Sequence, residues 1–209
     1  QLLLHNNYIC VKGKHTTGEK ELKAKNIILA GGSFGTTKIL FNSGFKAHLP
    51  ALGKGFCQHP QYMSFGIYNQ NVDAYKGAFQ TVSSADESFR NKGFKLENVF
   101  APPISIGMLF PYYGKEHQKL MKKFRNFSCI EAAVRDEPEG GELNIDKKGN
   151  LIITKNLTAQ DKRRRDAGLE AIDNILHSSG AKEIIRSPYF FGLHLMGGCS
   201  IGTDIEKSV

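Results

Sequence analysis

Histidine and cysteine side chains in glycine-rich sequence are the candidates for chemistry in this chain. His194 lies in the apolar stretch Gly192–Gly202, where an imidazole could accept or donate a proton near neutral pH. The same pattern is also typical of a histidine that packs in a core. Cys57 and His59 form a second group, which an ordinary loop would equally explain.

The cysteine spacing disfavours metal, disulfide and thiol chemistry. The cysteines are far apart and form no CxxC pair, which argues against a zinc or thioredoxin-type site; they are Cys10, Cys57, Cys129 and Cys199. Cys199 is close to His194 in sequence, but no further ligand set accompanies the two, so we expect no metal. A GxSxG nucleophile elbow is also missing, and this disfavours a hydrolase.

A glycine turn follows strand-like sequence at Asn26–Ala30. The unbroken apolar run predicts a strand buried on both faces in a parallel sheet. Gly31, Gly32 and Ser33 then lead toward a short helix over 36–42. Glycines here would let the backbone approach a ligand, and a helix N-terminus offers free N–H groups to an anion. A tight turn between a strand and a helix needs glycine in any case, so the pattern alone does not define a site.

The remaining periodicity predicts a mixed α/β chain. Helices are predicted at 115–124 and from Thr158 to before Gly180, the second with apolar residues at the spacing of one buried stripe. Polar turns and alternating apolar residues predict strands at 8–12, 21–25, 62–68 and 127–134, and a hairpin over 143–154. The aromatic pair Phe190 and Phe191 could pack in the core or shape a substrate pocket, and we favour the core.

Composition and charge restrict the function further. The chain has 209 residues, of which 40% are hydrophobic and 23% charged, as in ordinary globular proteins. No apolar run reaches the roughly 18 residues of a membrane span. The net charge is +8, but basic residues are interspersed with acids except at Lys162–Arg165, so we expect no nucleic-acid partner. That arginine cluster is either solvated, which we favour, or neutralised by a partner.

Three stretches together resemble the glucose-methanol-choline (GMC) family of FAD-dependent oxidoreductases. The segment 31–44 resembles the family pattern A-G-A-x-G-T-P followed by an aliphatic run and S-G, with Thr37 in place of proline and Lys46 where glycine is common. The segment 53–60 is similar to G-x-N-L-x-D-H-P, with Gly55 and Gln58 as departures. The segment 194–202 is similar to H-x-x-G-T-C-x-M-G, in which the histidine is the catalytic acid/base.

The resemblance implies that different segments of the chain have different roles. It places part of an FAD-binding, Rossmann-like domain at 1–60, a substrate domain with a mostly antiparallel sheet covered by helices at 61–188, and a return segment at 189–209. Gly31, Gly32 and Ser33 would contact FAD, and His194 would act as base while a sugar, polyol or other alcohol is oxidised to a carbonyl. The nearest relatives would be gluconate and related sugar dehydrogenases. The resemblance also allows an electron-acceptor subunit as a partner.

Two parts of the family pattern do not occur in this sequence. These are the dinucleotide-binding GxGxxG unit and a closing segment with a second catalytic His or Asn. The sequence also begins with Gln1 instead of Met, so we expect a fragment that is inactive by itself. The alternative hypothesis, from a different class, is a non-catalytic basic domain that binds an acidic partner.

Overall fold

The computed structural model describes residues 1–84 and 86–209 as two compact units. Unit 1 comprises Gln1–Gln58, Glu137–Thr158 and His194–Val209, and unit 2 comprises His59–Asp136 and Ala159–Leu193. Each unit is therefore assembled from segments that are distant in sequence. The domain boundaries at 60 and 188 remain a prediction, because compact units and functional domains are defined by different criteria.

The described residues contain nine strands and five α-helices. The strands are β1 (Leu2–Leu4), β2 (Ile9–His15), β3 (Gly18–Ala24), β4 (Pro60–Ile67), β5 (Phe94–Asn98), β6 (Phe127–Val134), β7 (Gly141–Ile145), β8 (Leu151–Lys155) and β9 (Glu183–Gly192). The α-helices are α1 (Gly32–Asn42), α2 (Glu87–Asn91), α3 (Pro103–Gly107), α4 (Gly114–Met121) and α5 (Ala159–Ser178).

Unit 1 contains two small antiparallel sheets and helix α1. Strands β1, β2 and β3 form one sheet, in which Leu2 is opposite Val11 and Ile9 is opposite Ala24. Strands β7 and β8 form the hairpin that the sequence predicts. A small core cluster of unit 1 has Leu2, Leu40 and Leu52 as its buried members, and Phe56 and Leu143 of the same unit are also buried.

Unit 2 is built on a four-stranded antiparallel sheet in the order β5-β6-β4-β9. Helix α5 packs against one face, where Ile172 and Leu176 contact a cluster that contains Phe94, Ala132 and Val134. The other face carries a second cluster, to which the segment with α3 and α4 contributes. Its largest fully buried rings belong to Phe65 and Phe127. The predicted fold class, a mixed α/β chain with antiparallel sheets and several helices, is confirmed.

The segment Asn26–Ala30 is not the buried parallel strand that its apolar run predicts. No described strand pairs with it, and the side chain of Ile28 is 91% exposed. Ile27 and Leu29 do pack against the small core of unit 1. A strand requires hydrogen bonds from a neighbour on at least one side, and the described residues supply none here. The prediction of a strand was wrong for this reason.

Strand β9 was not predicted, and it places two aromatic rings at the surface. Phe190 and Phe191 are 44% and 38% exposed, so our preference for a core position was wrong. β9 lies at the edge of the sheet, where its register against β4 shifts between Tyr62 and Ser64. Proline is tolerated at edges and bulges, which explains how Pro188 fits in a strand. No described helix is both long and apolar enough to cross a membrane.

Candidate functional site

The three motif stretches meet within unit 1. The loop 53–58 pairs with the return segment through backbone hydrogen bonds: Gly53 N–H to the Gly198 carbonyl at 2.8 Å and Gly198 N–H to the Lys54 carbonyl at 3.0 Å. Cys57 and Met196 exchange a further pair of N–H···O bonds at 2.9 and 3.0 Å. The segment after His194 is therefore fixed to the loop as a short antiparallel ladder.

Strand β7 holds the other side of the same loop. Leu143 N–H donates to the Gly53 carbonyl at 2.7 Å, and Phe56 N–H donates to the Gly141 carbonyl at 3.1 Å. Gly53 has a φ of +88°, and a Cβ there would lie 2.9 Å from the Phe41 ring and collide with the Leu143 carbonyl. The tight approach of these backbones thus requires glycine at position 53.

Helix α1 contacts the return segment through two hydroxyl groups. Ser33 Oγ donates to the Gly197 carbonyl at 2.8 Å. Thr37 is fully buried, and its Oγ1 lies 3.2 Å from Cys199 Sγ. Thr37, which departs from the proline of the family pattern, therefore joins α1 to the histidine-bearing stretch. These contacts bring Ser33 close to the predicted acid/base stretch in space.

The first turn of α1 exposes backbone N–H groups. Gly31 occupies the N-cap position, no side chain caps the helix, and no acidic residue lies in its first turn. A Cβ at Gly31 would lie 2.9 Å from the Thr36 nitrogen, whereas a Cβ at Gly32 would meet nothing within 4 Å. Gly32 has a φ of +64°. Gly31, Gly32 and Ser33 thus form an open glycine turn at a positive helix end, which suits backbone contacts to an anionic or polar cofactor.

His194 lies at the start of the ladder with its side chain exposed. Its backbone N–H faces the Gln58 carbonyl at 3.4 Å. The neighbouring Leu193 and Leu195 are 68% and 39% exposed. The alternative in which His194 packs inside a core does not match this position. An exposed imidazole on a fixed backbone can exchange a proton with a bound molecule.

Cys57 and His59 belong to different units of the chain. Cys57 is buried in unit 1 through its pairing with Met196, whereas His59 begins unit 2 with a φ of +46°. The His59 N–H donates to Asp136 Oδ1 at 3.0 Å. Across residues 1–84 and 86–209, no group of three or more His, Cys, Asp or Glu side chains is arranged to hold a metal.

A buried carboxyl group in unit 2 was missed by the sequence reasoning. Glu131 is 2% exposed on β6, opposite Glu97 of β5, and its Oε1 accepts from Gln80 Nε2 at 3.1 Å. Lys95 pairs with Glu97 at 2.8 Å. Burial and then the charge of Glu97 raise the pKa of Glu131 to about 7, although Lys95 and the Gln80 hydrogen bond oppose the shift. Strand β6 reads as ordinary core sequence, so only the structure identifies this group.

A second polar group lies on the same face of the sheet. Gln61 is 3% exposed, and its Oε1 has no hydrogen-bond partner among the described residues. Gln61 is opposite Ala133, two residues along β6 from Glu131, and alternate residues of a strand share a face. This face therefore presents both a protonatable carboxyl and an unused amide acceptor.

Comparison with known proteins supports the resemblance. Residues 8–61 match the family described as GMC oxidoreductase, and this range contains the motif stretches 31–44 and 53–60. The matching N-terminal domain is the FAD-binding domain of that family. Two proteins of Mycobacterium tuberculosis, from strains CDC 1551 / Oshkosh and ATCC 25618 / H37Rv, are 26% identical to the chain over 165 residues. Each is named an uncharacterized GMC-type oxidoreductase.

The similarity covers 79% of this chain and 26% of each mycobacterial protein. The chain thus spans about a quarter of the length of the curated relatives it matches. The relatives and the matched domain show similarity to GMC-type oxidoreductases and favour no subfamily.

Proposed function

We propose that this chain is part of a GMC-family oxidoreductase that binds FAD and oxidises a CH–OH group to a carbonyl. The observation that carries the proposal is the contact between Ser33 Oγ and the Gly197 carbonyl at 2.8 Å. It joins the glycine turn inside the matched range 8–61 to the stretch that begins with His194. The substrate would be a sugar, polyol or other alcohol, as in the gluconate and sugar dehydrogenases that the sequence resembles.

The residues at the start of α1 fit a cofactor held by backbone groups. Gly31 and Gly32 leave the first turn uncapped and open. The Gly31 N–H donates to Thr36 Oγ1 at 3.1 Å, so the Gly32 N–H is the one that remains available to polar atoms of FAD. The hydroxyl of Ser33 is used internally, and it fixes the turn against the return segment. When bound, FAD would supply the hydride acceptor, and these residues would position it without taking part in the chemistry.

His194 would serve as the base. As the substrate C–H bond breaks and its electron pair leaves with the hydrogen, the hydroxyl proton would pass to an imidazole nitrogen and the C=O bond would form. An imidazole nitrogen can accept the proton and later release it, as general acid–base catalysis requires. The ladder between Met196 and Cys57 would hold the histidine backbone in place during the transfer.

Unit 2 would contribute to substrate binding. The exposed rings of Phe190 and Phe191 suit contact with the apolar face of a sugar. An electron-acceptor subunit remains part of the proposal as a partner for reoxidation.

A spectrum of the whole oxidoreductase that contains this chain tests the proposal, because the chain by itself is expected to be inactive. We expect a visible flavin spectrum that bleaches under anaerobic conditions when a sugar, a sugar acid or a simple alcohol is added, and that returns with an added electron acceptor. Protein that carries no flavin, and takes up none on incubation with FAD, would contradict the proposal. A bound flavin that no alcohol reduces would contradict the proposed reaction but not the proposed cofactor.

A further inference from the structure

Unit 2 contains a pocket with a basic rim. The cavity has a volume of about 280 Å³. It lies where β5 begins, β6 ends and β4 begins. Its lining, called the basic pocket below, combines four basic side chains with an apolar floor: His59, Arg90, Lys95 and Arg135 with Gly93, Phe94 and Ala133. Apart from His59, which ends the family-like stretch 53–60, none of these residues belongs to the segments assigned to FAD or to the base.

The backbone of Arg135 is held in place from two sides. Its N–H donates to the Gly93 carbonyl at 2.9 Å, and its carbonyl accepts from Arg164 Nη1 at 2.6 Å. Arg164 is 8% exposed and lies 3.8 Å from Asp161. Gly93 has a φ of +85°, and a Cβ there would collide with the Arg164 side chain. A buried arginine thus supports the backbone from which the exposed Arg135 side chain extends.

Arg90 is positioned by the end of helix α2. The Gly93 N–H donates to the Arg90 carbonyl at 2.9 Å, and the Arg90 N–H donates to the Asp86 carbonyl at 3.3 Å. The same glycine therefore contacts the backbones of both pocket arginines. Because these contacts are made by backbone atoms, both guanidinium groups stay available to a ligand.

The acidic groups around the basic pocket do not cancel its charge. Glu97 pairs with Lys95 at 2.8 Å, and Asp136 accepts the His59 N–H. The Asp86 carboxylate accepts from Ser88 N–H at 2.8 Å as the cap of α2. Among the described residues, Arg90 and Arg135 form no side-chain ion pair. Arg90 and Arg135 thus line one cavity without a side-chain ion pair of their own among the described residues, which favours an anion.

We propose that the basic pocket binds an organic oxyanion, a small molecule that carries a carboxylate or phosphate group. Guanidinium groups recognise both kinds of oxyanion through paired N–H···O bonds. The apolar floor formed by Phe94 and Ala133 would contact the carbon skeleton of the ligand. A cavity of about 280 Å³ is also larger than an inorganic anion requires, and this favours an organic one.

Binding of three matched probes tests the proposal. The probes are benzoate, phenyl phosphate and the neutral analogue benzyl alcohol, titrated into the purified protein and followed by ligand-observed NMR at low and high salt. The variants are Arg135→Gln and Arg90→Gln. The control is Arg163→Gln, an exposed arginine of α5 whose side chain contacts Gln160, which changes net charge equally outside the pocket. Thermal unfolding of each variant checks the fold.

We expect at least one anionic probe to bind saturably and benzyl alcohol to bind at least about tenfold more weakly. Each pocket variant should weaken anion binding by about three- to tenfold, with Arg163→Gln unchanged. Tighter binding of phenyl phosphate would identify a phosphate ligand, and tighter binding of benzoate a carboxylate. Equal loss in Arg163→Gln, equal binding of the alcohol, or no saturable anion binding would overturn the proposal. The readout needs no flavin, so it is independent of the proposed oxidoreductase activity.

Discussion

The carboxyl group of Glu131 illustrates how position changes the chemistry of a single residue. Only 2% of the residue is exposed, and its cross-strand neighbour is another acid, Glu97. Removal from water disfavours the charged form, and a second carboxylate adds to the effect. Because the pKa is raised from 4.5 to about 7, the folded protein keeps a proton on Glu131 between these two pH values, where the unfolded chain has lost it.

Stability should therefore depend on the protonation of Glu131. The stabilising effect of the proton is fully present below the unfolded pKa of about 4.5 and is lost as pH rises toward about 7. The loss would amount to at most about 3 kcal/mol. Glu131→Gln keeps an acceptor for Gln80 and removes the titration. We expect its free energy of unfolding, measured in urea, to fall less than that of wild type between about pH 5 and about pH 8.

A surface carboxylate provides the control for this experiment. Glu142 is exposed on β7, so Glu142→Gln should keep the wild-type pH dependence. Parallel curves for wild type and Glu131→Gln would show that Glu131 is ionised in the folded protein across this range, contrary to the expected pKa.

Residue types alone identified part of the candidate site. His194 and the glycines at 31 and 32 were recognisable because imidazole and glycine have few substitutes in their roles. Glu131 was not, because its burial depends on the pairing of β6 with β4 and β5. The basic pocket was missed because its two arginines, Arg90 and Arg135, are far apart in the sequence. The arginines of the Lys162–Arg165 cluster differ in their surroundings. Arg164 is buried, whereas Arg163 contacts Gln160 and Arg165 contacts Asp166.

At the scale of elements, strand β7 supports the loop that the return segment also contacts. Leu143 is fully buried, and it is opposite Ile153 of β8, which is 49% exposed. Directly opposite residues share a face of the sheet, so the two strands of one hairpin differ in burial although both residues are apolar. The buried strand is β7, which lies next to Gly53 and Gly198.

This difference predicts unequal effects of truncation. Leu143→Ala should lower the free energy of unfolding by about 2–5 kcal/mol, because it leaves a cavity in well-packed surroundings. Ile153→Ala at the opposite position should cost about 1 kcal/mol or less, since the side chain is already half in water. Denaturant unfolding of the two variants measures both. Equal destabilisation would mean that β7 does not bury its face as described.

Elements were predictable from sequence where their determinants are local. Strand β6 begins and ends at the predicted residues, the hairpin has the predicted turn, and α5 ends before Gly180 as expected. Helix α1 begins four residues before the predicted start, at Gly32 instead of Thr36. Asn26–Ala30 failed because a strand also needs a partner, which its own residues do not reveal. Edge strand β9 was hidden by Pro188, a residue that normally argues against a strand.

At the scale of the molecule, the two units each combine segments from distant parts of the sequence. The stretches 31–44, 53–58 and 194–202 belong to unit 1, so the three family-like motifs lie in one unit except for His59 and Pro60 at the end of the second motif. That grouping supports a common function for the motifs. The net charge of +8 is the main support for the alternative hypothesis of a basic binding domain. The local contacts of the arginine cluster weaken that hypothesis.

The rate of flavin reduction in His194 variants tests the central claim most directly. Flavin-loaded protein, mixed anaerobically in a stopped-flow instrument with the alcohol that reduces it fastest, should lose about 100- to 10,000-fold in rate on His194→Ala, with flavin content unchanged. His177→Ala, at an exposed position on α5, is the control and should reduce at the wild-type rate. A His194→Ala rate within about twofold of wild type would contradict a base-catalysed oxidation at this residue.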